Sequence, residues 1–351
     1  MKKSLLVLLI ATAGLSNTAS ACSQITHSFD SAGTYSARTM GFCRDLKTSL
    51  SVYPRGIQQQ SNHAGMKAIP WVSKYGYVSV NQPNFDKNLA SDGVNEKGLA
   101  IHMLYMGETK QALIDKTKPV MDSYTWVHYV LGNFDNVNDV LASMKDYQIH
   151  TFPISIGGKS VALPIHFAIE DKYGCSAVIE FVNGKLTVHK SINNSTMTNE
   201  PSYDAQLSHL KTVESAKQHY DIENLPGGGD SKNRFVRANY INTNLPNATN
   251  NATAVNYMFG AINSTAVPFF NGYQQLCSRI DDPVASISDA WPTQWMTVSD
   301  LSHETLYFTN TLVGNRVYIN LNEVNLNAGQ PVKQFDTSDT KVSGDVSKLI
   351  K

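Results

Sequence analysis

The chain has 351 residues, 42% of them hydrophobic, with 29 Lys and Arg against 29 Asp and Glu. Charge this sparse and this balanced argues against a nucleic-acid binder, and 22 Gly with 13 Pro are too few for a collagenous or wholly disordered chain. Beyond the N-terminus no apolar run reaches the roughly 20 residues of a membrane span, so a soluble globular protein with a sizeable core is expected.

Met1-Lys2-Lys3 is a short positive start, Leu5 to Ala13 is apolar, and Ala19-Ser20-Ala21 puts small residues where a signal peptidase reads. The expectation is a signal peptide over residues 1–21, export to a periplasm or beyond, and a mature chain that begins at Cys22. Three readings compete for Cys22. It sits near the cleavage point by chance; or it is a lipoprotein cysteine, although such signals prefer a large aliphatic residue where Ala19 stands; or it is an N-terminal nucleophile. In the third case a free α-amine, with a reference pKa of about 7.7–8.0, serves as base for the thiol of its own residue. The other cysteines, Cys43, Cys175 and Cys277, show no metal-ligand spacing. With Cys22 catalytic, at most one bridge remains, and Cys175 in its apolar stretch is expected to be a buried free thiol.

Along the mature chain, Cys22 to Arg38 reads as strand, turn, strand about Asp30-Ser31-Ala32-Gly33. Trp71 to Val78 alternates like one strand, Asp92-Gly93 opens a turn, and Leu99 to Leu104 is extended. Between Ser123 and Tyr147 the period turns helical, in two short pieces separated by Gly132-Asn133-Phe134-Asp135. Strands return at Ile165–Glu170, Ala177–Val182 and Leu186–Val188, joined by turns at Asp171–Gly174 and Asn183-Gly184. Tyr203 to Tyr220 reads as irregular or partly helical. Arg234–Tyr240 and Ala254–Ala261 look helical, with a surface loop from Ile241 to Asn251 between them. Trp295–Val298, Thr305–Phe308 and Val317–Leu321 form a meander, and Asp336 to Lys351 reads as a polar trailing end. With no repeat, linker or compositional break, residues 22–351 are read as one domain of layered sheets and helices. Pro226-Gly227-Gly228-Gly229-Asp230 lacks the lysine of a phosphate loop, and the ten histidines show no zinc-site spacing, so no metal is expected.

Four segments, in this order and spacing, carry a family resemblance. They are Cys22 followed sixteen residues later by Arg38 in Ala37-Arg38-Thr39-Met40; Asp92-Gly93-Val94-Asn95-Glu96-Lys97-Gly98-Leu99; Met197-Thr198-Asn199-Glu200-Pro201; and Leu225-Pro226-Gly227 with Arg234-Phe235-Val236-Arg237. The chain resembles the choloylglycine hydrolase family, N-terminal nucleophile (Ntn) hydrolases that include penicillin V acylases and conjugated bile acid hydrolases. The resemblance implies an α+β fold, the αββα four-layer sandwich, and hydrolysis of linear non-peptide amides without a cofactor. It implies Cys22 as nucleophile, Arg38 and Arg234 as the arginines of the site, and Asn199 and Asn95 as donors to the oxyanion. Substrates implied are small N-acyl amides: penicillin V, N-acyl homoserine lactones or conjugated bile salts. A homo-oligomer is common among such relatives. One position departs from the pattern: three residues after the first arginine the family carries an acid that orients the nucleophile's amine, and here stands Gly41. The rival expectation is a lipid-anchored, weakly active or inactive member acting as a binding protein.

Overall fold

The computed structural model describes residues 21–61, 65–86, 89–156, 158–215, 221–275 and 291–350. Residues 1–20 of the expected signal peptide, all but its last residue Ala21, and Cys277 lie outside these residues. Ser23–Phe29 (β1) and Gly33–Gly41 (β2) form the expected hairpin, closed by Gly33 at φ +95°. They sit inside a seven-stranded sheet in the order Asn194–Met197, β1, β2, Thr293–Asp300, Thr305–Asn310, Arg316–Asn320, Gly344–Asp345. An eight-stranded sheet runs Lys185–Ile192, Cys175–Val182, Ile165–Asp171, Leu99–Tyr105, Ala90–Asn95, Tyr77–Asn81, Ser49–Tyr53, Lys333–Asp336.

Each sheet carries helices on its outer face. The helices Ser123–Asn133 (α1) and Val137–Ser143 (α2) bury Trp126, Val127, Val130, Leu131, Val137 and Val140 against the eight-stranded sheet. Tyr203–Ser215 (α3), Ser231–Thr243 (α4) and Asn251–Asn263 (α5) follow later in the chain. From α5, Val255, Met258 and Ile262 pack on Ile25, Tyr35 and Ala37 of the seven-stranded sheet. The period-2 alternation of strands then decides what fills the space between the sheets. In β1 and β2 it turns Ile25, Tyr35 and Ala37 toward α5, and Cys22, Gln24, Ser36 and Arg38 toward the other sheet. The result is four layers, helix, sheet, sheet, helix, as expected.

Several local expectations need correction. Trp71 to Val78 is not one strand: Ile69–Val72 and Tyr77–Asn81 belong to different sheets, split where Lys74 and Tyr75 N–H groups bond the Gly132 carbonyl. Gly93 is not in a turn but mid-strand, because a Cβ there would lie 2.5 Å from the Val78 carbonyl oxygen and 2.6 Å from Leu131 Cδ1. The glycine lets α1 approach the sheet. The turn falls at Gly98, φ +76°. Helix α3 is regular through Ser215, and α4 extends to Thr243, which shortens the expected loop. The glycine-rich stretch ends at Asp230, which caps α4 by accepting the Asn233 N–H at 3.0 Å.

The C-terminal segment is not a trailing end. Lys333–Asp336 pairs with Ser49–Tyr53, Gly344–Asp345 pairs with Arg316–Asn320, and Val346 and Ile350 are buried. Phe335, Val346 and Ile350 join the apolar cluster that also holds Leu50, Phe308 and Val317. Cys175 is free but only half-buried, contrary to expectation; it opens its strand next to the turn at Gly174. Cys43 is disulfide-bonded.

Candidate active site

Cys22 lies at the head of β1, 2% exposed, with its side chain between the sheets. Its Sγ is 3.8 Å from the Gly41 carbonyl oxygen, 3.8 Å from Met40 Sδ and 3.9 Å from Arg38 Nη2. Arg38 is fully buried. It donates to the Ser91 carbonyl at 2.6 Å, lies with Cζ 5.0 Å from the centre of the Trp295 ring, and has Nε 3.7 Å from Asp92 Oδ2. Cross-strand pairing of Arg38 with Gln24 on one side and Thr297 on the other fixes its place in the sheet.

The Cys22 main chain is held by two residues distant in sequence. Its N–H donates to Asn199 Oδ1 at 3.0 Å, and its carbonyl accepts from Arg234 Nη1 at 2.5 Å. Arg234 also donates to Ser23 Oγ at 2.7 Å, to Asn199 Oδ1 at 2.8 Å and to the Gly229 carbonyl at 2.9 Å. Two donors on Oδ1 fix the orientation of the Asn199 amide and aim Nδ2 at the Tyr105 carbonyl, 2.6 Å away. Burial pulls the Arg234 guanidinium down to about 10, opposed by the nearby Cys22, Glu200 and Asp230, so it stays charged at neutral pH.

Asn95 is not brought to this cluster. Its Nδ2 donates to the carbonyls of Leu131 and Phe134, and its Oδ1 accepts the N–H groups of Lys97 and Leu99. That side chain ties the Gly98 turn to the end of α1, a scaffolding use that leaves no donor for an oxyanion.

Gly41 ends β2 and is not among the glycines with positive φ, so backbone freedom does not explain it. The space a side chain would need is taken by Ala21: a Cβ on residue 41 would overlap Ala21 Cβ and lie 2.8 Å from its Cα. Ala21 is itself buried, and its carbonyl accepts from Thr39 Oγ1 at 3.1 Å.

Beside the thiol opens an apolar pocket whose walls include Met40, Phe42, Phe85, Leu163, Tyr105 and Trp291. The Phe42 ring stands 5.4 Å from Phe85 and 5.2 Å from Trp291, and Tyr105 meets Trp291 edge-on at 5.4 Å. Tyr105 was missed from sequence; only its place at the end of an apolar strand could have signalled it. A second omission lies deeper between the sheets. Asp92, His102 and Glu170, all fully buried, form a chain with His102 Nδ1 2.9 Å from Asp92 and Nε2 3.1 Å from Glu170.

The sequence model of the linear amide C–N hydrolases, choloylglycine hydrolase family, matches residues 22–341. The chain belongs to that family. It is therefore a linear amide C–N hydrolase. It is 30% identical over 310 residues to a penicillin V acylase of Pectobacterium atrosepticum, covering 82% of this chain and 77% of that protein. To a bile salt hydrolase/transferase of Clostridium perfringens it is 25% identical over 329 residues, covering 86% of this chain and 93% of that one. The penicillin V acylase structure from Agrobacterium tumefaciens superposes with a TM-score of 0.78 at 26% identity, covering 94% of this chain and 97% of the other. A conjugated bile acid hydrolase of Clostridium perfringens shares the fold at a TM-score of 0.72 and 19% identity, covering 92% and 98%. The four layers are those of the Ntn-hydrolase sandwich.

Proposed function

We propose that the family hydrolase is exported, cleaved between Ala21 and Cys22, and acts through the Cys22 thiol on small N-acyl amides with an apolar acyl group. The observation that carries this reading is the setting of Cys22: its nitrogen rests on Asn199 Oδ1 while its thiol faces an aromatic-lined apolar pocket. That the family match begins at Cys22 supports it. In the reaction the free α-amine takes the thiol proton, and the sulfur adds to the amide carbonyl carbon. The oxyanion is met by the second N–H of Asn199, the first being spent on Tyr105. Arg38 Nη2 stands 3.9 Å from the sulfur. The tetrahedral adduct collapses to a thioester and expels the amine, which leaves with the proton held by the α-ammonium. Water, deprotonated by the α-amine, then attacks the thioester, releasing the acid and restoring the thiol.

On this reading penicillin V and long-chain N-acyl homoserine lactones are the favoured substrates. Both carry a flat ring or a single chain suited to the Phe42, Phe85 and Trp291 walls, and the higher identity is to a penicillin V acylase. The lipid-anchored alternative is disfavoured, since a lipid on Sγ would have to run through this pocket past Arg38. Intact mass and parallel assays on penicillin V, a long-chain acyl lactone and a glycine-conjugated bile salt test the reading. We expect a free cysteine at the mature N-terminus and at least about tenfold higher kcat/KM on one of the first two. A diacylglycerol adduct, or a clear preference for the bile salt, would overturn it.

Gly41 supplies a second test. In the uncleaved chain, Gly41→Asp must evict Ala21, lowering the melting temperature; in the cleaved chain that space is free for a carboxylate beside the Cys22 nitrogen. There the substitution is expected to raise kcat severalfold with a smaller change in KM, because a carboxylate orients the α-amine and raises its basicity. Melting and kinetics of both forms check this. A cleaved variant with unchanged kcat would show that the amine is already oriented by Asn199.

A further inference from the structure

The fully buried chain Asp92–His102–Glu170 connects to the thiol through Arg38, and its geometry is uneven. Asp92 Oδ2 is held at 2.9 Å by His102 Nδ1 and at 3.2 Å by Thr297 Oγ1, but Arg38 Nε stands off at 3.7 Å. Arg38 Nε and Asp92 Oδ1 are both buried without a hydrogen-bond partner among the described residues. An arginine and an aspartate this close ordinarily lock into a two-bond fork. Here the carboxylate is claimed from the other side, and Nη2 at the outer end of the guanidinium lies between two sulfurs, 3.6 Å from Met40 Sδ and 3.9 Å from Cys22 Sγ.

We propose that His102 is a positioning residue for the reaction: by holding Asp92 it prevents the carboxylate from capturing Arg38, whose charge is thereby kept on the Cys22 thiol. The proposal rests on the reading of Cys22 as nucleophile. His102 is built for the task. Nε2 is hydrogen-bonded to Ser36 Oγ at 2.9 Å and lies in ion-pair range of Glu170 Oε2 at 3.1 Å, while Glu170 Oε1 accepts from Gln24 at 2.8 Å, so the imidazole is fixed from both sheets. The charged groups facing His102 are Asp92 and Glu170 from strands of its own sheet and Arg38 from across the layer. His166 and Glu180, further along the same sheet, pair with each other at 3.2 Å. Burial opposes a charged imidazole, but the two carboxylates outweigh it and push His102 up to about 9. Burial likewise raises Glu170, with His102 opposing. Both directions say that the pair keeps one proton through neutral pH. Arg38 and that proton then balance Asp92 and Glu170, and the buried layer is neutral as a whole.

With His102→Gln, Asp92 is released to close on Arg38 and its field is withdrawn from the sulfur. Alkylation of Cys22 by iodoacetamide, followed against pH in the cleaved protein, reads this without substrate. The midpoint should rise by about one unit, as loss of a cation beside a thiol requires. In turnover kcat should fall about tenfold with KM within twofold, a one-unit change being tenfold in the ionised fraction. Adding Asp92→Asn removes the captor and should return the midpoint toward that of the parent, which a merely structural role of His102 would not do. Glu170→Gln, which keeps the side-chain shape, should move the midpoint the same way by less, and serves if His102→Gln does not fold. An unmoved midpoint in either single variant, or a shift that Asp92→Asn fails to reverse, overturns the proposal. If the midpoints move as stated but no acyl amide is hydrolysed by the parent, the account of Arg38 stands and the proposed reaction falls.

Discussion

Cys22→Ser is expected to lower turnover of a susceptible acyl amide by about a thousandfold or more while the melting temperature stays within a few degrees. The structural cost is small because Oγ occupies the place of Sγ among the Gly41 carbonyl, Met40 and Arg38, and the bonds that hold the residue run through its main chain to Asn199 and Arg234. The chemical cost is large because a hydroxyl is far less acidic than a thiol and its only base is a weak amine. A chain that retains Ala21 should be equally inactive, for its Cys22 nitrogen is an amide that accepts no proton. Kinetics on the cleaved protein, the serine variant and a non-cleavable precursor measure all three. Turnover above about a tenth of the parent's in either of the last two would remove Cys22, or its amine, from the mechanism.

Arg234→Met is expected to destabilise the protein by about 3–5 kcal/mol and to abolish detectable turnover. The guanidinium is fully buried and serves at least four acceptors, among them the carbonyls of Cys22 and Gly229, Ser23 Oγ and Asn199 Oδ1. A thioether leaves these four without this donor and leaves the Asn199 amide held only by the Cys22 N–H on Oδ1 and the Tyr105 carbonyl on Nδ2. The amide loses its charged anchor and shifts with the loosened Cys22 main chain, which misplaces the N–H proposed to meet the oxyanion. Arg234→Lys keeps the charge but not the fork, so it should recover part of the stability and little of kcat. Thermal melts of both variants beside their kinetics separate the clasp from the chemistry. A methionine variant melting within a few degrees of the parent would show that the buried arginine does not hold the N-terminus in place.

The clearest sequence signals were local ones. The β1–β2 hairpin, the two helices parted at Gly132–Asp135 and the antiparallel strands from Ile165 onward follow from period and turn chemistry, and the structure has them at nearly the expected places. The glycines divided differently. Gly98 takes the positive φ that a turn needs, whereas Gly93 and Gly41 are glycine because of what lies opposite them, Leu131 and Val78 in one case and Ala21 in the other. No single-sequence pattern distinguishes a glycine required by its own dihedral from one required by its neighbour. Asn95 shows the same limit: its motif is intact, but its four hydrogen bonds are spent on the Gly98 turn and the end of α1.

By itself the sequence carried the resemblance to the family, through four motifs in order and spacing along one chain, and that resemblance implied the layered α+β class and the residues Cys22, Arg38, Asn199 and Arg234. Tertiary structure alone decided that Asn199 and Arg234 close on the Cys22 main chain, that Ala21 fills the site of the missing acid, and that Asp92, His102 and Glu170 stand in line behind Arg38. Those contacts join strands and helices brought side by side by sheet pairing and by the stacking of two sheets. Hydrogen bonds and charges act over a few ångströms, and the distance in space between residues 38, 92, 102 and 170 is set by register and layer packing rather than by their separation in the chain.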